Sequence, residues 1–146
     1  MTVALRRAWA RDLDASTLYS LLALRVEVFV VEQSCPYPEL DGRDLETRTR
    51  HFWLEKPGGE VISVLRLLED RAGGEAGFRI GRVCTTVTER GRGHTARLMR
   101  AALDEAGESL FRITLPARGH AACAHPLRAE AGGSARRPGT FALGLM

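Results

Sequence analysis

The chain has 146 residues, with 45% hydrophobic and 27% charged side chains, the mixture of one globular domain and not of a disordered or fibrous protein. Residues 1–113 hold 17 basic and 17 acidic side chains, so the formal +3 resides wholly in residues 114–146, where Arg118, Arg128, Arg136 and Arg137 face Glu130 alone. A neutral body argues against nucleic acid as the partner, and no apolar run approaches the roughly 18–20 residues of a membrane span.

In chain order, residues 3–9 predict a short edge strand, and Asp14, Ser16 and Thr17 supply cap candidates for a helix. From Thr17 the apolar residues Leu18, Leu21, Leu22 and Phe29 recur at helical spacing, with Arg25 on the same face. An arginine there snorkels or meets a carboxylate, and Glu32 is one candidate. The run Val28, Phe29, Val30, Val31 predicts a helix end that is buried or lines a cleft, and Pro36 and Pro38 must break it. Residues 51–55, 61–68 and 78–86 read as three strands joined by glycine-containing turns, an antiparallel meander. A second helix follows, with Thr95, Met99, Ala102, Leu103 and Ala106 forming one apolar stripe and Gly107 as its stop. Residues 110–113 begin a further strand.

Between the third strand and the second helix lies Arg90, Gly91, Arg92, Gly93, His94, Thr95. The glycines allow positive φ and close approach of a ligand to the backbone. Amides of the loop and of the first helical turn converge on one spot where the helix dipole favours an anion. The unit reads as a pyrophosphate cradle or, blandly, as a glycine-rich surface turn. It is not a P-loop, because the Gly-Lys-Ser/Thr ending is absent. Flanking strands that look antiparallel also argue against a dinucleotide fingerprint.

Residues 90–95 resemble the acetyl-CoA-binding loop of the GCN5-related N-acetyltransferases, Arg/Gln-x-x-Gly-x-Gly/Ala, matching at Arg90 and Gly93 and departing at Thr95. Residues 18–54, with Val-Phe-Val-Val-Glu-Gln, Cys-Pro-Tyr, Asp-Gly-x-Asp and Thr-x-His in order, are similar to the ElaA-type branch of that superfamily. The resemblance covers residues 3–113. It implies an α/β acyltransferase fold, a mostly antiparallel twisted sheet flanked by helices, with acyl-CoA lying where two strands splay apart. On that resemblance Arg90, Gly91, Arg92, Gly93, His94 and Thr95 would hold the pyrophosphate, and the backbone of Val83, Cys84 and Thr85 would pair with the pantetheine arm. The implied reaction is direct acetyl transfer to a primary amine of a small molecule or peptide. It needs a base for the ammonium proton, an amide to polarise the carbonyl and an acid for the thiolate.

Glu32 is a candidate base or an ion-pair partner of Arg25, and His51 a candidate proton relay or a hydrogen-bonded strand histidine. Phe29, Gln33 and Tyr37 are candidates for the amine pocket, with core packing and a turn anchor as the other readings of Phe29 and Tyr37. Cys84 reads as packing. Cys35, Cys84 and Cys123, odd in number and far apart, suit reduced thiols of a cytoplasmic protein. His120, Cys123 and His125 lack a fourth metal ligand, so no metal is expected. No nucleic-acid or membrane partner is expected either, and a homodimer is compatible with the reading.

Residues 114–146 depart from the family's pattern: 20 of these 33 residues are Ala, Gly, Arg or Pro, and no tyrosine follows Tyr37 to match the one that the resemblance implies as the acid. These are the residues that GC-rich codons give in any frame, so the expectation is a frame shift near codon 114 and a tail with few buried contacts. The domain proper would then be residues 1–113. The reading that competes with an active enzyme is a non-catalytic acyl-CoA binder, an impaired remnant lacking its acid.

Overall fold

The computed structural model describes residues 2–72, 74–107 and 110–113. Their order is β1 (Ala4–Trp9), α1 (Ala15–Val26), β2 (Arg50–Glu55), β3 (Val61–Ala72), β4 (Glu75–Thr85), α2 (His94–Ala106) and β5 (Leu110–Ile113). The strands form one sheet in the order β1-β2-β3-β4-β5. From β1 to β4 every neighbour is antiparallel, because each connection returns the chain along the adjacent strand. β5 pairs parallel to β4, from Phe78 to Ile80, which corrects the antiparallel expectation for the strands flanking the glycine loop. α2 carries the chain back along the sheet, so β5 restarts in the direction of β4. The tail expectations and the frame shift concern residues outside those described.

The two helices cover opposite faces. Asp14 caps α1 by accepting from the Thr17 amide at 2.6 Å, as the cap signal predicts. Leu21, Leu24, Val28 and Phe29 then pack on Trp53, Val64 and Cys84. On the other face Leu98, Met99, Ala102 and Ala106 of α2 meet Phe52, Leu54, Leu65, Leu67, Ile80 and Val83. Leu98 takes the central place expected for Leu103, which lies at the rim.

β4 contains an extra residue. Arg66 lies opposite Gly81 but Val64 opposite Cys84, and Arg82 has φ 54°. This bulge reverses the inward and outward alternation. Phe78 and Ile80 face α2, but beyond the bulge Val83 does so and Cys84 turns towards α1.

Residues 33–49 join α1 to β2 with little regular structure, and a buried ion network holds them down. Arg25 donates from Nε to Glu39 Oε1 at 2.7 Å and from Nη1 to Asp44 Oδ1 at 2.5 Å. The carboxylate expected for Arg25 was Glu32; the partners are these two because the chain folds back over α1 beyond Pro38. Arg66 donates to Asp44 Oδ1 at 3.0 Å and to Asp41 at 2.8 and 2.9 Å, and Arg82 reaches Glu39 at 3.0 Å. Gly42, at φ 79°, makes the turn that brings both Asp41 and Asp44 to Arg66.

At the sheet edge, β1 carries Arg6 bound to Glu55 at 2.8 Å and Arg7 bound to Glu105 of α2 at 2.6 Å. The Arg7 and Arg50 guanidinium groups lie 4.5 and 4.1 Å from the Trp9 ring centre.

Asp44→Ala would leave Arg25 and Arg66 in a buried site one carboxylate short. A loss of about 3–5 kcal/mol is expected in urea denaturation. Burial alone would raise the Asp41 pKa, but hydrogen bonds and charge from Arg66, aided by the Arg43 amide and Arg82, hold it at about 2. A carboxyl lowered in the folded state stabilises above its ordinary value and ceases to do so as pH falls through about 2. The urea midpoint should therefore fall between about pH 4 and pH 2, with a smaller fall in Asp41→Asn.

Candidate acyl-CoA site

β4 ends at Thr85, a turn of 3-10 helix spans Val87–Glu89, and α2 begins at His94. Gly91 and Gly93 have φ 75° and 79°, and a Cβ at either would meet nothing within 4 Å. The glycines are thus required by backbone conformation, with open space beside them. Gly93 is the N-cap of α2 and offers no side-chain acceptor. The first-turn amides therefore lack a side-chain cap and remain suited to an anion. A cavity of about 310 Å³ opens here, lined by Thr85, Glu89, Arg90, Gly91, Gly93, His94, Thr95 and Ala96. Every predicted loop residue except Arg92 lines it.

The arginines of the loop face carboxylates. Arg90 donates from Nε to the Thr85 carbonyl at 3.0 Å, and from Nη1 and Nη2 to the two oxygens of Glu32 at 2.6 and 2.7 Å. The hydrogen bond from Arg90 lowers the Glu32 pKa, keeping it an anion. Arg92 lies 3.2 Å from Glu89, which is buried and also meets Lys56 at 2.8 Å and His94 at 3.6 Å. Glu89, its pKa lowered chiefly by the Lys56 hydrogen bond, was not singled out from sequence. Its partner sits in the turn after β2, which no local pattern reveals.

Thr95, the departure from the loop pattern, extends a chain of hydroxyls. Its Oγ1 is 3.2 Å from Thr85 Oγ1, which is 2.7 Å from Ser63 Oγ, and Ser63 donates to the Cys84 carbonyl at 3.1 Å. The chain ties α2 to β4 and β3 at the head of the cavity. Ser63 carries no sequence signal beyond its place in a strand.

The remaining candidates fall elsewhere. Phe29 is core. Gln33 ends a π-helical turn, Glu27–Glu32, that continues α1. Tyr37 donates its hydroxyl to Glu39, and its pKa is raised by burial and by that carboxylate. His51 lies within the buried ion network, its Nε2 3.0 Å from the Asp44 carbonyl, and burial lowers its pKa. Only Glu32, of the predicted catalytic and amine-pocket residues, makes a side-chain hydrogen bond to the loop.

Cys84 is a buried free thiol whose pKa burial pushes up to about 12. Cys35, expected as a reduced thiol, is instead disulfide-bonded. His120, Cys123 and His125 lie outside the described residues, among which no His, Cys, Asp and Glu group can hold a metal. No helix of those residues is long and apolar enough to cross a membrane.

This fold, with a glycine-hinged loop heading the helix that follows its fourth strand, is that of the GCN5-related acyltransferases. An acyl-CoA N-acyltransferase from Pseudomonas aeruginosa is 42% identical, with a TM-score of 0.66 over 72% of this chain and 70% of that one. Escherichia coli ElaA is 34% identical, with a TM-score of 0.65 over 72% and 70%. A UPF0039 protein of Mycobacterium tuberculosis is 67% identical over 113 residues, 77% of this chain and 72% of the relative. No family model matches. The chain belongs to the ElaA-type branch, the UPF0039 proteins, of the GCN5-related N-acetyltransferase superfamily.

A thiol with its pKa near 12, sealed in the core, should resist alkylation. Iodoacetamide at pH 8 followed by peptide mapping should leave Cys84 unmodified in the native protein and modify it in urea.

Proposed function

We propose that this protein transfers an acetyl group from acetyl-CoA to a primary amine of a small molecule or peptide. The observation that carries the reading is the cavity at the head of α2, where positive-φ glycines and uncapped amides offer fixed partial positive charge to a pyrophosphate. Membership of the ElaA-type branch supports it.

In this reading the backbone of Val83, Cys84 and Thr85 lies along the pantetheine arm. Described β5 pairing extends to Ile80 of β4, so those groups lie beyond it. Acetyl-CoA supplies the activated carbonyl, and the amine nitrogen attacks it directly. The new C–N bond forms, the C–S bond breaks, and the thiolate leaves with a proton while the amine loses one. Cys84 takes no covalent part, because burial holds its thiol protonated. His51, one candidate base, lies in the buried ion network, where burial disfavours its protonated form. Glu32, the other candidate, is a weakened base, since Arg90 holds it as a stabilised anion.

A second reading, an acyl-CoA binder without turnover, is favoured by the absence of any tyrosine after Tyr37. Calorimetric titration with acetyl-CoA and a thiol-release assay over a panel of amines separate the two. Binding with thiol release supports the transferase, binding alone the binder, and no binding rejects both. Gly93→Ala introduces a side chain at φ 79°, costing about 1–2 kcal/mol and projecting a methyl group towards the cavity. Acetyl-CoA affinity should fall about tenfold, while circular dichroism keeps the native spectrum.

A further inference from the structure

Arg90 stands first in the loop and would ordinarily be read as a cation for the phosphates. Its geometry is that of a strut. Nε holds the Thr85 carbonyl, the last of β4, at 3.0 Å. Both terminal nitrogens grip Glu32 at 2.6 and 2.7 Å, across 58 residues of sequence. A planar fork satisfied by a carboxylate in this way has its directional donors occupied, and its charge offset, before any phosphate arrives.

The far end of the contact is a segment with a reason to need holding. Glu32 is the last residue of the π-helical turn Glu27–Glu32, and Ser34, two residues on, has φ 50°. An over-wide turn followed by a left-handed non-glycine residue persists only where its surroundings impose it. Arg90 supplies one such contact, joining the end of α1, the end of β4 and the glycine loop at a single side chain.

We infer that Glu32 and Arg90 are a positioning pair that sets the glycine loop and the segment after α1 in mutual register, and not respectively a general base and a phosphate ligand. The inference rests on acetyl-CoA being the ligand of the loop. Glu32 and Arg90 side chains are 40% and 36% exposed and so lie outside the core, and circular dichroism checks that each variant is folded.

Electrostatics and positioning predict opposite signs for one substitution. If the carboxylate merely competes with the ligand for Arg90, Glu32→Ala removes a negative charge near an anion site and tightens acetyl-CoA binding. If the pair positions the loop, the same change weakens it, by about tenfold. Calorimetric titration of the wild type, Glu32→Ala, Arg90→Ala and the double variant decides. The pair predicts weakening in both single variants, somewhat greater in Arg90→Ala because the Thr85 carbonyl also loses its donor, and no loss in the double variant beyond that of Arg90→Ala. Tighter or unchanged binding in Glu32→Ala overturns it, as does a much larger loss in Arg90→Ala with additivity in the double variant. Unchanged affinity with a lower kcat and an altered pH profile would make Glu32 the base and likewise reject the pair.

Hydrogen exchange of the ligand-free chain gives a readout independent of acetyl-CoA. Glu32→Ala should speed exchange in residues 30–34 and 86–95 together. Unchanged exchange overturns the pair even if the wild type proves not to bind acetyl-CoA, a result that would reject the acetyl-CoA reading separately.

Discussion

Arg25 is a cation enclosed by the molecule, 2% exposed, and the arrangement on the α1 face depends on the carboxylates that compensate it. Glu39, Asp41 and Asp44 meet Arg25, Arg66 and Arg82, three acids with three bases. Desolvating such ions is costly, and the mutual attraction offsets it only where every partner is present in good geometry. That requirement gives direction to an otherwise irregular segment: residues 39–44 can close over α1 only in the conformation that delivers all three carboxylates. The network also reaches Arg82, the residue in positive φ whose bulge turns Cys84 inwards and Val83 towards α2. A buried charge on the first helix is thus linked through Glu39 to the course of the strand proposed to flank the pantetheine arm.

At the cavity, side-chain charge is largely balanced locally, and backbone amides remain. Arg90 is matched by Glu32, and Glu89 by Lys56 and Arg92. Partial charges fixed by a helix terminus need no reorganisation when a ligand arrives, unlike long flexible cations that must first be ordered. The hydroxyls of Thr85 and Thr95 extend that polar wall to the buried Ser63. Thr95, where the loop pattern has glycine or alanine, therefore has a structural partner in this chain.

Features encoded within a few residues were legible from sequence: the Asp14 cap, the proline break after α1, the turns between strands, the apolar stripe of α2 and the glycine loop. Each rests on backbone preference or on a periodic face, which neighbouring residues alone specify. Features depending on distant partners were not. Arg25 has an obvious need for a carboxylate, but its neighbour Glu32 is claimed by Arg90 across the fold. Glu89 carries no signal of its own in the sequence, because its partner Lys56 comes from another hairpin. The bulge at Arg82 arises from register against β3, which no period in the strand itself announces. His51 and Tyr37 carried the right chemistry, yet both make their side-chain hydrogen bonds within the ion network.

Among the described residues β1 borders the sheet, with a consequence for how copies of the molecule can meet. An open strand is a template for another strand, and two identical edges add readily in antiparallel fashion. β1 places Arg6 and Arg7 side by side near its midpoint. A twofold pairing centred on either arginine would set it directly against its own copy, and like charges so placed repel. The guanidinium groups that steady Trp9 and reach Glu55 and Glu105 thus also set positive charge along that border of the sheet, against its self-extension.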